Sequence, residues 1–258
     1  MTEPPVIVAE ALAQRFGTRT IFRDVSFQVT PGEVFVILGG SGCGKSTLMK
    51  QLIGLLTPTA GRITVRGQVI AGPGAGKVRA ALHHDIGVMF QSGALFGSMT
   101  LLENVMLPLE VFTDLPPEGR AAVARVKLAL VGLADAASLM PAEISGGMAK
   151  RAGIARAMAM DPPLLFLDEP SAGLDPITSA GLDQLILALR RDLGATFVVV
   201  THELASIMAI ADRCLMLDRA AFPDAGGVIA EGDPRRLREE STHPTVRAFF
   251  RREPLQAA

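Results

Sequence analysis

The chain has 258 residues, with 25 Lys+Arg against 26 Asp+Glu, 12 Phe, and neither Trp nor Tyr. At 49% hydrophobic and 20% charged residues it is too apolar to remain disordered and long enough to bury a sizeable core. A net charge of −1 gives no sequence-wide attraction to nucleic acid or to an anionic membrane, and any base-stacking platform would be limited to Phe, His or Arg.

In chain order, Met1-Thr2-Glu3-Pro4-Pro5 lacks the basic flank and apolar stretch of a signal peptide, so the protein is expected to stay in the cytoplasm. The mean hydropathy of +0.35 raises the question of a membrane span. The longest apolar runs, such as 34–38 and 197–200, are strand-sized and fall short of the about 20 residues a spanning helix needs. Cys43 and Cys214 are few and far apart, which suits a reducing compartment and forms no metal-ligand cluster.

Val34-Phe35-Val36-Ile37-Leu38 reads as a buried parallel strand that feeds a helix beginning near Lys45. Between them, Gly39-Gly40-Ser41-Gly42-Cys43-Gly44-Lys45-Ser46-Thr47 fits the phosphate-binding loop pattern in its required strand-to-helix context. Its glycines let consecutive N–H groups curl inward around phosphate oxygens, and the helix N-terminus adds partial positive charge. Lys45 is expected to neutralise the β- and γ-phosphates and the Ser46 hydroxyl to ligate Mg²⁺. Cys43 reads as a small loop residue, with a redox-sensing thiol as the alternative. The stretch 61–76, with alternating polarity and five glycines, reads as β-hairpin material.

Residues from about 93 to 160 read mainly as helix, and Thr100-Leu101-Leu102-Glu103 has capping-box spacing. Within this region Ile144-Ser145-Gly146-Gly147-Met148 precedes a helical stretch through Met160. Small residues there would make a second anion site, which one P-loop does not need and which would serve the nucleotide of another subunit. Leu164-Leu165-Phe166-Leu167 is a second buried strand, ending in Asp168-Glu169. Asp168 matches the carboxylate that anchors a phosphate-bound Mg²⁺, and Glu169 is then available to orient and deprotonate the attacking water. As adjacent strand residues the two point to opposite sides, so one can face the metal while its neighbour reaches the water. Asp175-Pro176 and Asp233-Pro234 read as acidic N-caps with proline at the first helical position, and the strand 196–200 ends in Thr201-His202. All three strands place polar groups at the rim where open α/β sheets bind ligands.

Together the P-loop, the Ser-Gly-Gly segment and Asp168-Glu169 resemble the ATP-binding cassette (ABC) ATPases, whose signature is usually Leu-Ser-Gly-Gly-Gln. That resemblance spans most of the chain. It implies an α/β P-loop NTPase fold: a RecA-like, mostly parallel sheet core with an antiparallel β subdomain and an inserted helical subdomain. The corresponding division is 1–92 and 161–233 for the ATP-binding core lobe, 93–160 for the helical signature subdomain and 234–258 for a short C-terminal extension. Gln91 then resembles the Q-loop glutamine that senses Mg²⁺ and water, Ala172-Gly173-Leu174-Asp175 the D-loop, and His202 the switch histidine on the γ-phosphate. Phe16 is the aromatic candidate for stacking on adenine, against the alternative of a core or turn residue. By the same resemblance the nucleotide is ATP with Mg²⁺, held by Gly39 to Thr47 on one subunit and by Ser145, Gly146, Gly147 and Asp175 across a homodimer.

Met148 in place of glutamine, the stretch from Gln91 to Thr100, Glu103-Asn104-Val105 and Ser145 to Arg151 are similar to the ATPases of MCE-type lipid transporters. That implies an ATPase on the cytoplasmic face of the inner membrane, peripheral through an integral permease, with an MCE substrate-binding protein and a small STAS-domain protein as partners. An importer ATPase for another solute and a soluble ABC ATPase are the alternatives. The segment 95–107, with Phe96, Met99 and Leu102, is read either as a groove for the permease or as core of the helical subdomain. The tail from Arg235 to Glu253 carries six Arg against three Glu, and Phe249-Phe250 either anchors a partner contact or caps a solvated basic terminus.

Overall fold

A computed structural model describes residues 3–73, 75, 82 and 84–253, so Gly74, Gly76 and the last five residues of the tail lie outside it. The chain divides into two compact units, one of residues 1–80 with 198–258 and one of residues 81–197.

In the first unit, β3 (Val34–Gly39) is buried at every residue, as its continuous apolar run requires for a strand covered on both faces. It pairs in parallel with β9 (Arg213–Asp218), joining Val36 to Cys214 and Leu38 to Met216. The strand order on this side is β10 (Gly227–Gly232), β9, β3 and then β8 (Thr196–Val200), whose first two residues belong to the second unit. A separate antiparallel sheet has the order β2-β1-β4-β5, from β1 (Ile7–Phe16), β2 (Arg19–Val29), β4 (Ala60–Val65) and β5 (Gln68–Ala71). β4 and β5 form the expected hairpin, with Val65 opposite Gln68. The sheets meet where the rings of Phe27 on β2 and Phe35 on β3 stack at 5.3 Å between centroids. Burying each such side chain contributes about 1.5–3 kcal/mol.

α1 (Lys45–Leu52) follows β3 after the P-loop. The unit also holds α6 (Leu204–Ile210) and two short helices in the tail, α7 (Pro234–Glu240) and α8 (Pro244–Arg251). Asp233 caps α7 by accepting from the Arg235 N–H at 2.7 Å, as the Asp-Pro pair predicts. Phe250 is buried and packs edge-on to half-buried Phe249, so at most one of the two rings is available to a partner.

In the second unit, β6 (Ile86–Met89) pairs in parallel with β7 (Leu164–Asp168). Its helices are α2 (Leu101–Phe112), α3 (Pro117–Leu130), α4 (Gly146–Ala157) and α5 (Pro176–Leu193). The capping box at Thr100 is complete: its hydroxyl accepts from the Glu103 N–H at 3.2 Å and the Glu103 carboxylate accepts from the Thr100 N–H at 2.7 Å. That exchange holds the Glu103 carboxyl below its usual value, the Thr100 N–H being the largest cause. No helix among the described residues is long and apolar enough to cross a membrane.

Candidate functional site

In the first unit the P-loop is shaped by steric limits that only glycine meets. A Cβ on Gly39, whose φ is 145°, would lie 2.2 Å from the Leu217 carbonyl oxygen. A Cβ on Gly44, whose φ is 106°, would lie 2.7 Å from a ring carbon of Phe22. β2 and β9 therefore press against the loop from two sides, while Gly40 and Ser41 are exposed and a Cβ on Gly42 would come no nearer than 3.9 Å to Arg219. Gly44 is the N-cap of α1 and offers no side chain to its N–H groups, which leaves first-turn donors for an anion. Lys45 donates from Nζ to the carbonyls of Gly39 at 2.8 Å and Gly40 at 3.2 Å, so its ammonium lies within the loop. Ser46 is exposed at the first turn and Thr47 half-buried beside it.

Cys43 is buried, and desolvation pushes its thiol above the usual value despite the Lys45 charge. The thiolate needed for redox chemistry is disfavoured, and the structure supports the small-loop-residue reading. Phe16, at the end of β1 opposite Arg19, is 51% exposed, so it is no core residue. His202 is exposed just past β8, following Thr201, whose N–H donates to the Ile37 carbonyl on β3 at 3.2 Å.

In the second unit, Asp168 is the last residue of β7 and half-buried. Glu169 does not continue the strand: its φ is 48°, in the left-handed region, and it is 9% exposed. The reading of two adjacent strand residues pointing to opposite sides is corrected here, because the backbone turn sets the direction of Glu169. Gln91 is exposed in the turn after β6. Its carbonyl and that of Glu169 share one donor, Lys150 of α4, which reaches Glu169 at 3.0 Å.

The signature residues open α4. Ser145 is its N-cap, its hydroxyl accepting from the Met148 N–H at 3.2 Å. Gly146 is exposed and Gly147 is buried where a Cβ would lie 2.6 Å from Thr178 of α5. Asp175 caps α5, accepting from the Ile177 N–H at 3.0 Å and the Thr178 N–H at 3.1 Å. The Thr178 hydroxyl is the largest cause of a lowered carboxyl pKa at Asp175. Asp175 and Gly147, expected in the D-loop and the signature, thus meet at Thr178.

Sequence reasoning passed over three of the residues that organise this unit. Asn104 is fully buried: its Oδ1 accepts from the Phe96 N–H at 2.8 Å, and its amide donates to the carbonyls of Phe96, Met99 and Thr100. Lys150 and Arg156 donate to backbone carbonyls of the segment after β6. In the sequence, Asn104 and Lys150 stand only inside the stretches similar to the MCE-type ATPases, with no structural role attached to either. The segment 95–107 divides: Leu101 and Val105 are core, while Phe96 is 50% exposed and Met99 and Leu102 are half-buried.

The family described as "ABC transporter" matches residues 22–172. A "Probable ribonucleotide transport ATP-binding protein mkl" of Mycobacterium tuberculosis is 41% identical over 244 residues, covering 95% of this chain and 66% of its own length. The "Intermembrane phospholipid transport system ATP-binding protein MlaF" of Escherichia coli K12 is 40% identical, covering 91% of this chain and 84% of its own length. The chain thus spans just under two thirds of the mycobacterial relative. Among solved structures, cbiO1 from Clostridium perfringens, part of an ABC transporter complex, aligns with a TM-score of 0.81 at 28% identity, covering 92% of each chain. A dimeric ATP-binding cassette in a post-hydrolysis state with ADP and Pi aligns at 0.77 and 28% identity, covering 88% of this chain and 98% of that one. The glycine-shaped P-loop, the strand ending in Asp168 and the capped Ser-Gly-Gly helix have the fold of these cassettes, and the chain belongs to the ABC transporter family.

Proposed function

We propose that the chain is the ATP-hydrolysing subunit of a membrane transporter, a homodimer that sandwiches two MgATP and drives phospholipid transport through a partner permease. The observation that carries the reading is α4, which presents Ser145 and exposed Gly146 at its N-terminus as an anion site that the chain's own P-loop does not need. A second subunit's nucleotide is the natural occupant, consistent with the dimeric cassette noted above. The lipid assignment is supported by the E. coli phospholipid-system relative, of which the chain spans 84% against 66% of the mycobacterial one.

By chemistry Ser46, Gln91 and Asp168 each offer an oxygen of the kind Mg²⁺ takes, Ser46 exposed in the first unit and exposed Gln91 and half-buried Asp168 in the second. Mg²⁺ would take one carboxylate here, Asp168, together with phosphate oxygens and several waters, which suits so small a protein contribution. When bound, it neutralises charge on the β- and γ-phosphates. The N–H groups of 39–47 and Lys45 hold those phosphates, and Phe16 stacks on adenine. Gln91 orients the attacking water. Glu169 accepts a proton from that water as its oxygen bonds to the γ-phosphorus and the bond to the β–γ bridging oxygen breaks, releasing ADP. His202 contacts the γ-phosphate, and Ser145, Gly147 and Asp175 close the site across the dimer. ATP favours the closed dimer because only there are both phosphate sites filled, and hydrolysis releases it.

On this reading the helical subdomain 93–160 faces the permease, with exposed Phe96 beside half-buried Met99 and Leu102. An MCE substrate-binding protein and a small STAS-domain protein complete the assembly at the cytoplasmic face of the inner membrane, the latter against the extension 234–258. Purification of the tagged chain from detergent-solubilised membrane, with the co-purifying proteins and lipids identified, tests this. A permease with an MCE-domain protein and bound phospholipid is expected; a permease with an amino-acid or nucleotide binding protein and no lipid overturns the substrate assignment.

A further inference from the structure

Within the second unit, one face of α4 is fastened to the segment after β6 by side-chain donors. Lys150 is 6% exposed, and its Nζ donates to the Gln91 carbonyl and, at 3.0 Å, to the Glu169 carbonyl. Along the same face, a Cβ on Gly153 would lie 3.1 Å from Gly93 Cα, so backbone meets backbone there. Arg156 then donates from Nη1 to the Ala94 carbonyl at 2.7 Å and from Nη2 to the Gly93 carbonyl at 2.9 Å.

The residues so held are conformationally unusual. Glu169 and Ala94 have φ of 48° and 49°, and Gly93 of 74°. Non-glycine residues persist in that region only where their surroundings over-determine them. The Glu169 carbonyl also accepts from the Ala172 N–H at 3.2 Å, so its peptide plane has two donors. Burying an ammonium costs free energy unless its hydrogen bonds are supplied, and here backbone oxygens of two separate segments supply them.

We propose that Lys150 is a positioning residue for hydrolysis: from inside the signature helix it fixes the peptide planes of Gln91 and Glu169, setting where both side chains project. A displacement of α4 then carries both with it. The proposal rests on the reading of Glu169 as proton acceptor and Gln91 as the residue orienting the water.

The full chain is purified as wild type, Lys150→Met and Lys150→Arg. In Lys150→Met, kcat for ATP is expected to fall about 10- to 100-fold, the scale of a small misplacement of reacting groups. KM is expected to stay within about twofold, because the P-loop is untouched. In the nucleotide-free chain, amide hydrogen exchange over 91–96 and 169–172 is expected to be faster than in wild type, and Lys150→Arg is expected to restore both rate and protection. Wild-type kcat with wild-type exchange in Lys150→Met overturns the proposal, as does an equal loss in Lys150→Arg. Should Lys150→Met not fold, Lys150→Gln takes its place with the same expected and contrary results. Full activity in Glu169→Gln would remove Glu169 from catalysis without touching the exchange result, so failure of the underlying reading is distinguishable from failure of this one.

Discussion

Two turns that follow parallel strands, residues 39–47 in the first unit and 91–94 in the second, both bend the backbone into positive φ, yet they are held by different neighbours. The P-loop is held by exclusion: Leu217 and Phe22 leave no room for a Cβ at Gly39 or Gly44, and its Lys45 donates back into its own carbonyls. The segment 91–94 is held by α4: a Cβ on Gly93 would lie 2.8 Å from the Ala149 carbonyl oxygen, and Lys150 and Arg156 of the same helix donate to its carbonyls. A turn held by its own glycines keeps its shape wherever α4 stands, whereas a turn held by a helix follows that helix. On the function proposed above, that difference would suit a fixed phosphate cradle on one hand and a segment that follows α4 on the other.

The contrast is broken most severely in the P-loop. Gly44→Val is expected to lower affinity for ATP by about 100-fold or more in equilibrium titration, since the displaced loop loses several charge-assisted contacts of about 1.5–3 kcal/mol each. Near-wild-type affinity would mean that the loop is not held by exclusion. Arg156→Met is expected to cost about 1.5–3 kcal/mol in urea unfolding while ATP affinity stays unchanged. Equal losses of stability and affinity would mean that the two turns are not independently held.

The smallest effect concerns α2, which carries Asn104. Because Glu103 has a lowered folded-state pKa, its capping contribution is fully present above the ordinary carboxyl value and is lost as pH falls through the lowered one. Glu103→Gln is therefore expected to flatten the fall in unfolding midpoint between about pH 6 and pH 3. An unchanged pH profile would show that the Glu103 charge contributes nothing to stability.

What the sequence revealed follows the same divide. The P-loop, the strands 34–38, 164–167 and 196–200, and the caps at Thr100, Asp175 and Asp233 are contiguous patterns whose physics is local, and each was legible. β9 and β10 went unread because Arg213 to Asp218 is a short apolar run without a flanking motif. The roles of Lys150 and Asn104 went unread for a different reason: their partners are backbone N–H and C=O groups, which carry no residue type to pair with in a sequence. Glu169 was legible as a residue but not as a geometry, since nothing in Asp-Glu-Pro announces a left-handed turn.

The central claim is that this cassette hydrolyses ATP through Glu169, and single-turnover hydrolysis in wild type and Glu169→Gln, each with Mg²⁺ and saturating ATP, tests it most directly. Loss of a general base predicts a rate about 100-fold or more lower in Glu169→Gln, with ATP still bound and a dimer retained in size-exclusion chromatography with light scattering. Equal hydrolysis rates in the two proteins would contradict it.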